Sequence, residues 1–387
     1  MSLLMKQILT RLVLAGTMVL SGPLAGESQN IDLQGQLSGW MSGNRTNSFK
    51  AQIGLRYIPT LSFKKSFDSR FALDAEFSAN IYSAALGASL NHLDTSGEVK
   101  PYRMWLRFST SQFEARIGLQ KINFGSALLL RPLMWFDRID PNDPLQLADG
   151  VYGLLVKYTF LSNTNVWLWG LYGNTGVKGW ESIPTRKGSP EYGGRFQFPL
   201  FKGELAFSYH HRLLDPKRSL ITPLFKEASK IPENRFALDG KWDLGVGLWL
   251  EGVLSRQDFE FFPLRYQKTF TLGLDYTFGL GNGLHIMGEH LTFQTTQRIF
   301  GPGETTKFSA ISVDYPLMLT DRIKSTVLRN LETGDWYRFI TWQRMTDRWS
   351  FYLIAFWNPD RYQIYASQTG KSLFAGKGLE IMVVFNH

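Results

Sequence analysis

From residue 31 onward, apolar and polar residues trade places at every second position, in stretches of about ten. Phe71, Leu73, Ala75, Phe77, Ala79 and Ile81 alternate with Ala72, Asp74, Glu76, Ser78, Asn80 and Tyr82. A two-residue period puts one set on each face of an extended strand. One face is greasy, and the other carries two carboxylates, an amide and hydroxyls. Such strands recur with no helical pattern between them. Mean hydropathy is −0.15 despite 44% hydrophobic residues, as expected where half of each strand meets water and half meets lipid. The pattern therefore predicts an all-β chain forming a transmembrane antiparallel β-barrel, with the apolar set toward lipid and the polar set toward a lumen. A soluble β-sandwich with a large aromatic core is the competing fold. The aromatic content of 14% suits either that core or the two interfacial girdles of a membrane barrel.

Residues 1–26 read as a secretory signal peptide. Lys6 and Arg11 are basic, Leu12 to Leu20 is apolar but too short to span a bilayer, and Pro23-Leu24-Ala25-Gly26 offers a cleavage site. Residues 27–387 then form a single barrel domain destined for the outer membrane of a Gram-negative cell, inserted by the barrel-assembly machinery. No cysteine is present, which excludes disulfides, lipid attachment and thiolate metal sites. The net charge is +9, or +7 once the two leader cations are set aside. That mild excess suits anionic solutes or lipopolysaccharide phosphates in the outer-membrane lipid. The cations are scattered rather than striped, so nucleic acid is not an expected partner.

Cutting the alternation at turn signals gives eighteen strands, the first at 31–40 and the last at 376–386. Sixteen stays open because 315–334 is weakly patterned. Tight connections alternate with long ones at 83–99, 121–150, 174–190, 212–233, 294–305 and 358–375, the arrangement of short periplasmic turns and long external loops. Charges respect the phase. Tyr102, Met104, Leu106 and Phe108 read outward, while Arg103, Trp105 and Arg107 read inward. An Arg or Lys on the lipid face at mid-bilayer would cost about 2–4 kcal/mol.

The long connection 121–150 is too apolar to stand in water: it contains Leu128, Leu129, Leu130, Leu133, Met134, Trp135 and Phe136. The expectation is that it folds inward and constricts the lumen, although a cap over the outer mouth is the competing arrangement. Its Lys121, Arg131, Asp137, Arg138 and Asp140 would then face Arg103, Arg107, Glu114 and Arg116 of the adjoining strands at the constriction. Guanidinium groups there can grip carboxylates or phosphates two bonds at a time. Inward acids, Glu251 and Glu289 among them, slightly outnumber the bases, so the charge pattern does not describe a simple anion funnel.

Catalytic signals are weak. None of the six histidines sits in a metal-binding motif, adjacent His210 and His211 point to opposite faces, and Gly279 to Gly283 reads as a hairpin turn, not a phosphate loop. No cofactor or metal is expected. The stretch Arg116-Ile-Gly-Leu-Gln120-Lys-Ile-Asn-Phe124-Gly125, followed by Asp137-Arg-Ile-Asp140-Pro-Asn-Asp143-Pro, resembles the alginate-export and related substrate-selective outer-membrane porins. The resemblance implies an eighteen-stranded barrel with internal loops and lumen charges that select small or acidic solutes. Two features depart from that pattern: the lumen is not strongly basic, and the last aromatic, Phe385, precedes His387. The reading is a porin passing small hydrophilic solutes, anionic ones included, by passive and partly selective diffusion. The alternatives are a barrel that sheathes or docks a partner without an open pore, and a barrel enzyme acting on lipid or glycan.

Overall fold

The computed structural model describes residues 29–67, 70–89, 92–137, 139, 142–218, 231–258, 265–360 and 374–387. The expected signal peptide, Arg138 and Asp140 lie outside the described residues. The strands are β1 (Gln29–Arg45), β2 (Phe49–Phe67), β3 (Phe71–Ser89), β4 (His92–Thr110), β5 (Phe113–Gln120), β6 (Val151–Thr159), β7 (Asn165–Leu171), β8 (Glu191–Leu200), β9 (Gly203–Leu214), β10 (Ile231–Asp243), β11 (Gly247–Gln257), β12 (Tyr266–Phe278), β13 (Leu284–Thr296), β14 (Gly303–Pro316), β15 (Asp321–Asn330), β16 (Trp336–Met345), β17 (Trp349–Trp357) and β18 (Lys377–Asn386). All are antiparallel to their neighbours, and β1 pairs with both β2 and β18. The sheet closes on itself, leaving no edge. The weakly patterned region 315–334 is the β14–β15 hairpin, so the count is eighteen.

Alternation sets the two faces. On β12, Phe270, Leu272 and Leu274 are 47%, 44% and 51% exposed, while Thr269 and Thr271 between them are buried. On β18, exposed Leu379 and Ile381 flank buried Glu380. In a lone soluble chain this much exposed hydrocarbon would be a liability. Around a closed barrel it is the surface that lipid covers. A bulge on β4, where the register slips between Ser78 and Ala79, lets both Lys100 and Arg103 follow the inward phase.

The expected long loop 83–99 is corrected. β3 runs to Ser89 and β4 starts at His92, paired through Ala85↔Thr95 and Gly87↔Leu93. The polar, small residues of this segment look like loop chemistry in sequence, yet Ser83 to Gly87 pair with Gly97 to Leu93 in an antiparallel ladder. The wall is uneven as a result. β1 to β4 are 17–19 residues long, while β5, β6 and β7 are 8, 9 and 7. The low part of the rim is where 121–150 and 172–190 leave the wall.

Candidate functional site

Segment 121–150 packs on the inward faces of the strands. Ile122, Phe124, Leu133, Trp135 and Phe136 cluster with Val151 and Leu155 on β6, Trp169 and Leu171 on β7, Ala237 on β10 and Val253 on β11. Ala127, Leu129, Leu130 and Met134 reach further, to Trp249, Leu291, Leu328, Phe339 and Phe356 on β11 to β17. Leu145 joins Trp40 on β1, Ala84 on β3 and Met382 on β18. Burial of five large side chains, Leu129, Leu130, Met134, Trp135 and Phe136, favours this packing by about 1.5–3 kcal/mol each.

An irregular chain laid across a wall must still satisfy its amides. Here two wall carboxylates do so. Glu289 Oε1 accepts from Leu128 N (2.7 Å) and from the Trp249 indole (3.1 Å), and its Oε2 accepts from Leu129 N (3.0 Å) and Leu130 N (2.6 Å). Glu251 accepts from Ala127 N (2.7 Å) and Leu133 N (3.3 Å). Thr271 Oγ1 donates to Leu130 O at 2.7 Å. The sequence shows Glu251 and Glu289 only as inward acids of the lumen. They are instead occupied by loop amides, which no periodicity of the strands reveals. Gly125, at φ 97°, lies so close to Glu251 that a Cβ would collide with its carboxylate.

A second segment, 172–190, lies over the first. Trp180 Nε1 donates to Arg131 O (2.7 Å) and Gly179 N to Asp137 O (3.0 Å). A Cβ on Gly179 would overlap Met134 O. Buried ion pairs fasten this segment to the wall: Glu181 meets Arg212 (2.9 Å) and Arg235 (2.8 Å), and Lys178 meets Glu191 (2.9 Å). Trp169 Nε1 donates to His210 Nδ1 at 3.1 Å, so the Nε2–H of His210 faces Glu191 at 3.2 Å. The length of 174–190 predicts an external loop; Trp180, between Lys178 and Glu181, is the residue in the sequence that marks it as packed.

The nine expected constriction residues divide. Arg107 donates from Nε and Nη2 to Asp74 on β3 (2.9 and 2.8 Å), and Arg116 pairs with Glu114 at 2.9 Å. Arg107 and Arg116 stand opposite each other on β4 and β5, both beside the Trp105 ring. Arg107 keeps 30% of its side chain accessible to the lumen, so this group is paired yet still presented. Arg103 is spent on the loop: its Nη2 donates to Ala148 O at 2.9 Å. Arg131 and Asp137 meet each other at 3.5 Å inside the loop, and Arg131 also donates to Asn123 (2.5 Å). Burial pushes the Asp137 carboxyl up from its ordinary value, against the pull of Arg131 and Lys121. Burial likewise pushes the Lys121 ammonium down, against the attraction of Asp137. Arg138 and Asp140 lie outside the described residues.

Opposite the Arg107 wall, residues 142–146 and the inner faces of β14 to β17 enclose a polar cavity of about 180 Å³, lined by Asp314, Lys324, Thr341 and Gln343 among others. Asp143 borders it. Burial raises its carboxyl from the ordinary value, and the Leu145 amide (2.9 Å) and Arg56 oppose that shift. Among the described residues no cluster of His, Asp or Glu suits a metal ion.

No protein-family model matches this chain, and no curated protein sequence does. Solved structures do. OccK5 (OpdH) of Pseudomonas aeruginosa superposes with a TM-score of 0.56 at 10% identity, over 92% of this chain and 98% of that one. The fold is the outer-membrane porin barrel. OmpF of Salmonella typhi, solved with daunomycin, gives 0.51 at 10% identity over 92% and 97%. OmpT, an outer-membrane protein of Vibrio cholerae, gives 0.52 at 11% over 93% and 100%.

Proposed function

We propose that this porin-fold chain is a passive channel for small hydrophilic solutes, anionic ones included, and that 121–150 is its constriction. The observation that carries the reading is the docking of that segment by Glu251 and Glu289. A segment held by wall carboxylates through five backbone amides is placed, not merely collapsed. What it leaves uncovered supports the solute class: the partly accessible Arg107, Glu114 and Arg116 on one side, and the polar cavity beside Lys324 on the other. Selection would come from bore width and from these charges.

One observation favours a second reading, a barrel that docks a partner without conducting. The loop touches inner faces on opposite sides of the bore. A planar-bilayer recording distinguishes the two. Native protein that conducts in discrete steps, with larger steps after deletion of 126–136, supports the constricted channel. Native protein that is silent, with conductance only after that deletion, supports the plugged barrel. Conductance that the deletion leaves unchanged overturns the placement of the segment in the pore.

A further inference from the structure

The outer surface is not uniform around the barrel. On its lipid-facing side, at the end where the longer loops lie, a row of cations runs from β14 round to β1, interrupted only at β17, where Trp357 stands: Lys307 on β14, Arg329 on β15, Arg338 on β16, Lys377 on β18 and Arg45 on β1. All five are exposed. The ladder makes them neighbours: Ser309, one outward step from Lys307, pairs with Arg329; Arg329 pairs with Trp336; Arg338 with Trp357; Trp357 with Lys377; and Lys377 with Arg45. Among the described residues none of the five makes an ion pair with a carboxylate, whereas Arg344, near the opposite end of β16, is paired with Asp321 at 2.9 Å. Glu304 on β14 and buried Glu380 on β18 follow the inward phase of their strands, and Glu332 and Asp335 sit in the β15–β16 turn. Glu332 accepts the Lys307 backbone amide (2.6 Å), and Asp335 accepts from the Thr333 hydroxyl (2.7 Å).

Further along these strands the outward face becomes hydrocarbon: Ile340 and Leu379 stand one outward step from Arg338 and Lys377, and Ile311 and Met41 two steps from Lys307 and Arg45, all four exposed. The cations therefore mark the level at which the apolar band ends. The start of β1, the end of β18 and the turns after β2 and β4 lie at the other end of the barrel, while the long connections 121–150 and 172–190 leave at this one, which places this level in the outward leaflet. Two guanidiniums flank a single indole: Arg329 lies 4.9 Å and Arg338 5.3 Å from the Trp336 ring centre. Holding like charges side by side is unfavourable unless an anion bridges them. At the comparable outward level on the far side, β6 and β8 present Tyr152 and Tyr192 instead.

We infer that the outward row Lys307–Arg329–Arg338–Lys377–Arg45 is a binding site for the phosphorylated head group of a glycolipid in the outward leaflet. The guanidiniums meet phosphate oxygens bidentately, the tryptophans lie at the head-group level, and the acyl chains run down the apolar band beneath. A site facing lipid is separate from the lumen and does not depend on conduction.

The test uses the full chain in neutral detergent, titrated with bis-phosphorylated lipid A, with the same lipid after phosphate removal, and with inorganic phosphate, adducts being counted by native mass spectrometry. The phosphorylated lipid should bind at least about tenfold more tightly than the dephosphorylated one. Replacing three cations (R329Q, R338Q, K377Q) should erase that preference, while K202Q at the opposite end should not. Equal binding of both lipids overturns the inference, as does a triple variant that keeps the preference. Inorganic phosphate binding as tightly as the lipid overturns it in favour of a simple anion site. The comparison of lipids on native protein stands even if the triple variant fails to assemble.

Discussion

Replacing Glu289 with alanine tests whether the inner segment is held by its amides or only by its apolar side chains. Glu289 accepts three backbone N–H groups and one indole. Leu129 and Leu130 are buried, so water does not readily replace the lost acceptor, while half-exposed Leu128 can turn to solvent. Each orphaned buried donor costs about 1–3 kcal/mol, and bonds to a charged acceptor lie at the upper end of that range. Counting the two buried amides and discounting for relaxation gives roughly 3 kcal/mol of lost docking. The apolar contacts remain, and at about 1.5–3 kcal/mol per side chain they outweigh that loss. The segment should therefore stay docked on average while opening far more often. At 1.4 kcal/mol per decade, amide exchange of Leu129 and Leu130 should speed up about 100-fold. Single-channel traces should become noisier with little change in mean step. Exchange in Glu289→Ala that matches native protein to within a few-fold would refute the reasoning, because it would mean that the carboxylate does not hold those amides.

Replacing Arg103, Arg107 and Arg116 together with glutamine should move the reversal potential in a salt gradient toward cation preference, with Arg107 and Arg116 responsible for most of the shift because Arg103 is engaged with Ala148 O; an unmoved potential would assign all three to wall structure. Gly179→Ala should separate the two inner segments, since its Cβ has no room beside Met134 O, and protease cleavage within 172–190 should rise several-fold. The pH response of the docked segment follows from Asp137. Its carboxyl is raised in the folded state, so this group's contribution favours docking fully below the ordinary value of 3.8 and is lost as pH rises through the higher folded value. Protection of 126–136 from exchange, followed upward from about pH 3.5, should therefore fall more in native protein than in Asp137→Asn; identical profiles would show that Asp137 does not set the response.

The strand architecture is legible in the sequence because each strand decides its own faces. Phe270, Leu272 and Leu274 point to lipid, and Thr269 and Thr271 point inward, whichever strand lies alongside. The barrel class and the phase of Arg103 and Arg107 follow from that local rule, repeated, whereas the choice of eighteen strands over sixteen rests on the pairing of β14 with β15. Segment 83–99 broke the rule because its small polar residues carry no alternation, and only pairing between β3 and β4 shows that it is extended. The apolar run at 128–136 announces in sequence that something must cover it. What covers it was decided in three dimensions. Glu289 lies about 160 residues from the amides it accepts, and Glu251 about 120. A carboxylate facing an aqueous lumen and one facing a docked backbone have the same two-residue spacing on their strands. Only closure of the barrel, which brings β11 and β13 against a segment leaving β5, turns two apparent pore charges into the fastening of the loop. The cation row on the outside has the same origin: its five members are scattered from residue 45 to residue 377, and the ladder that joins β14 to β1 makes them one surface.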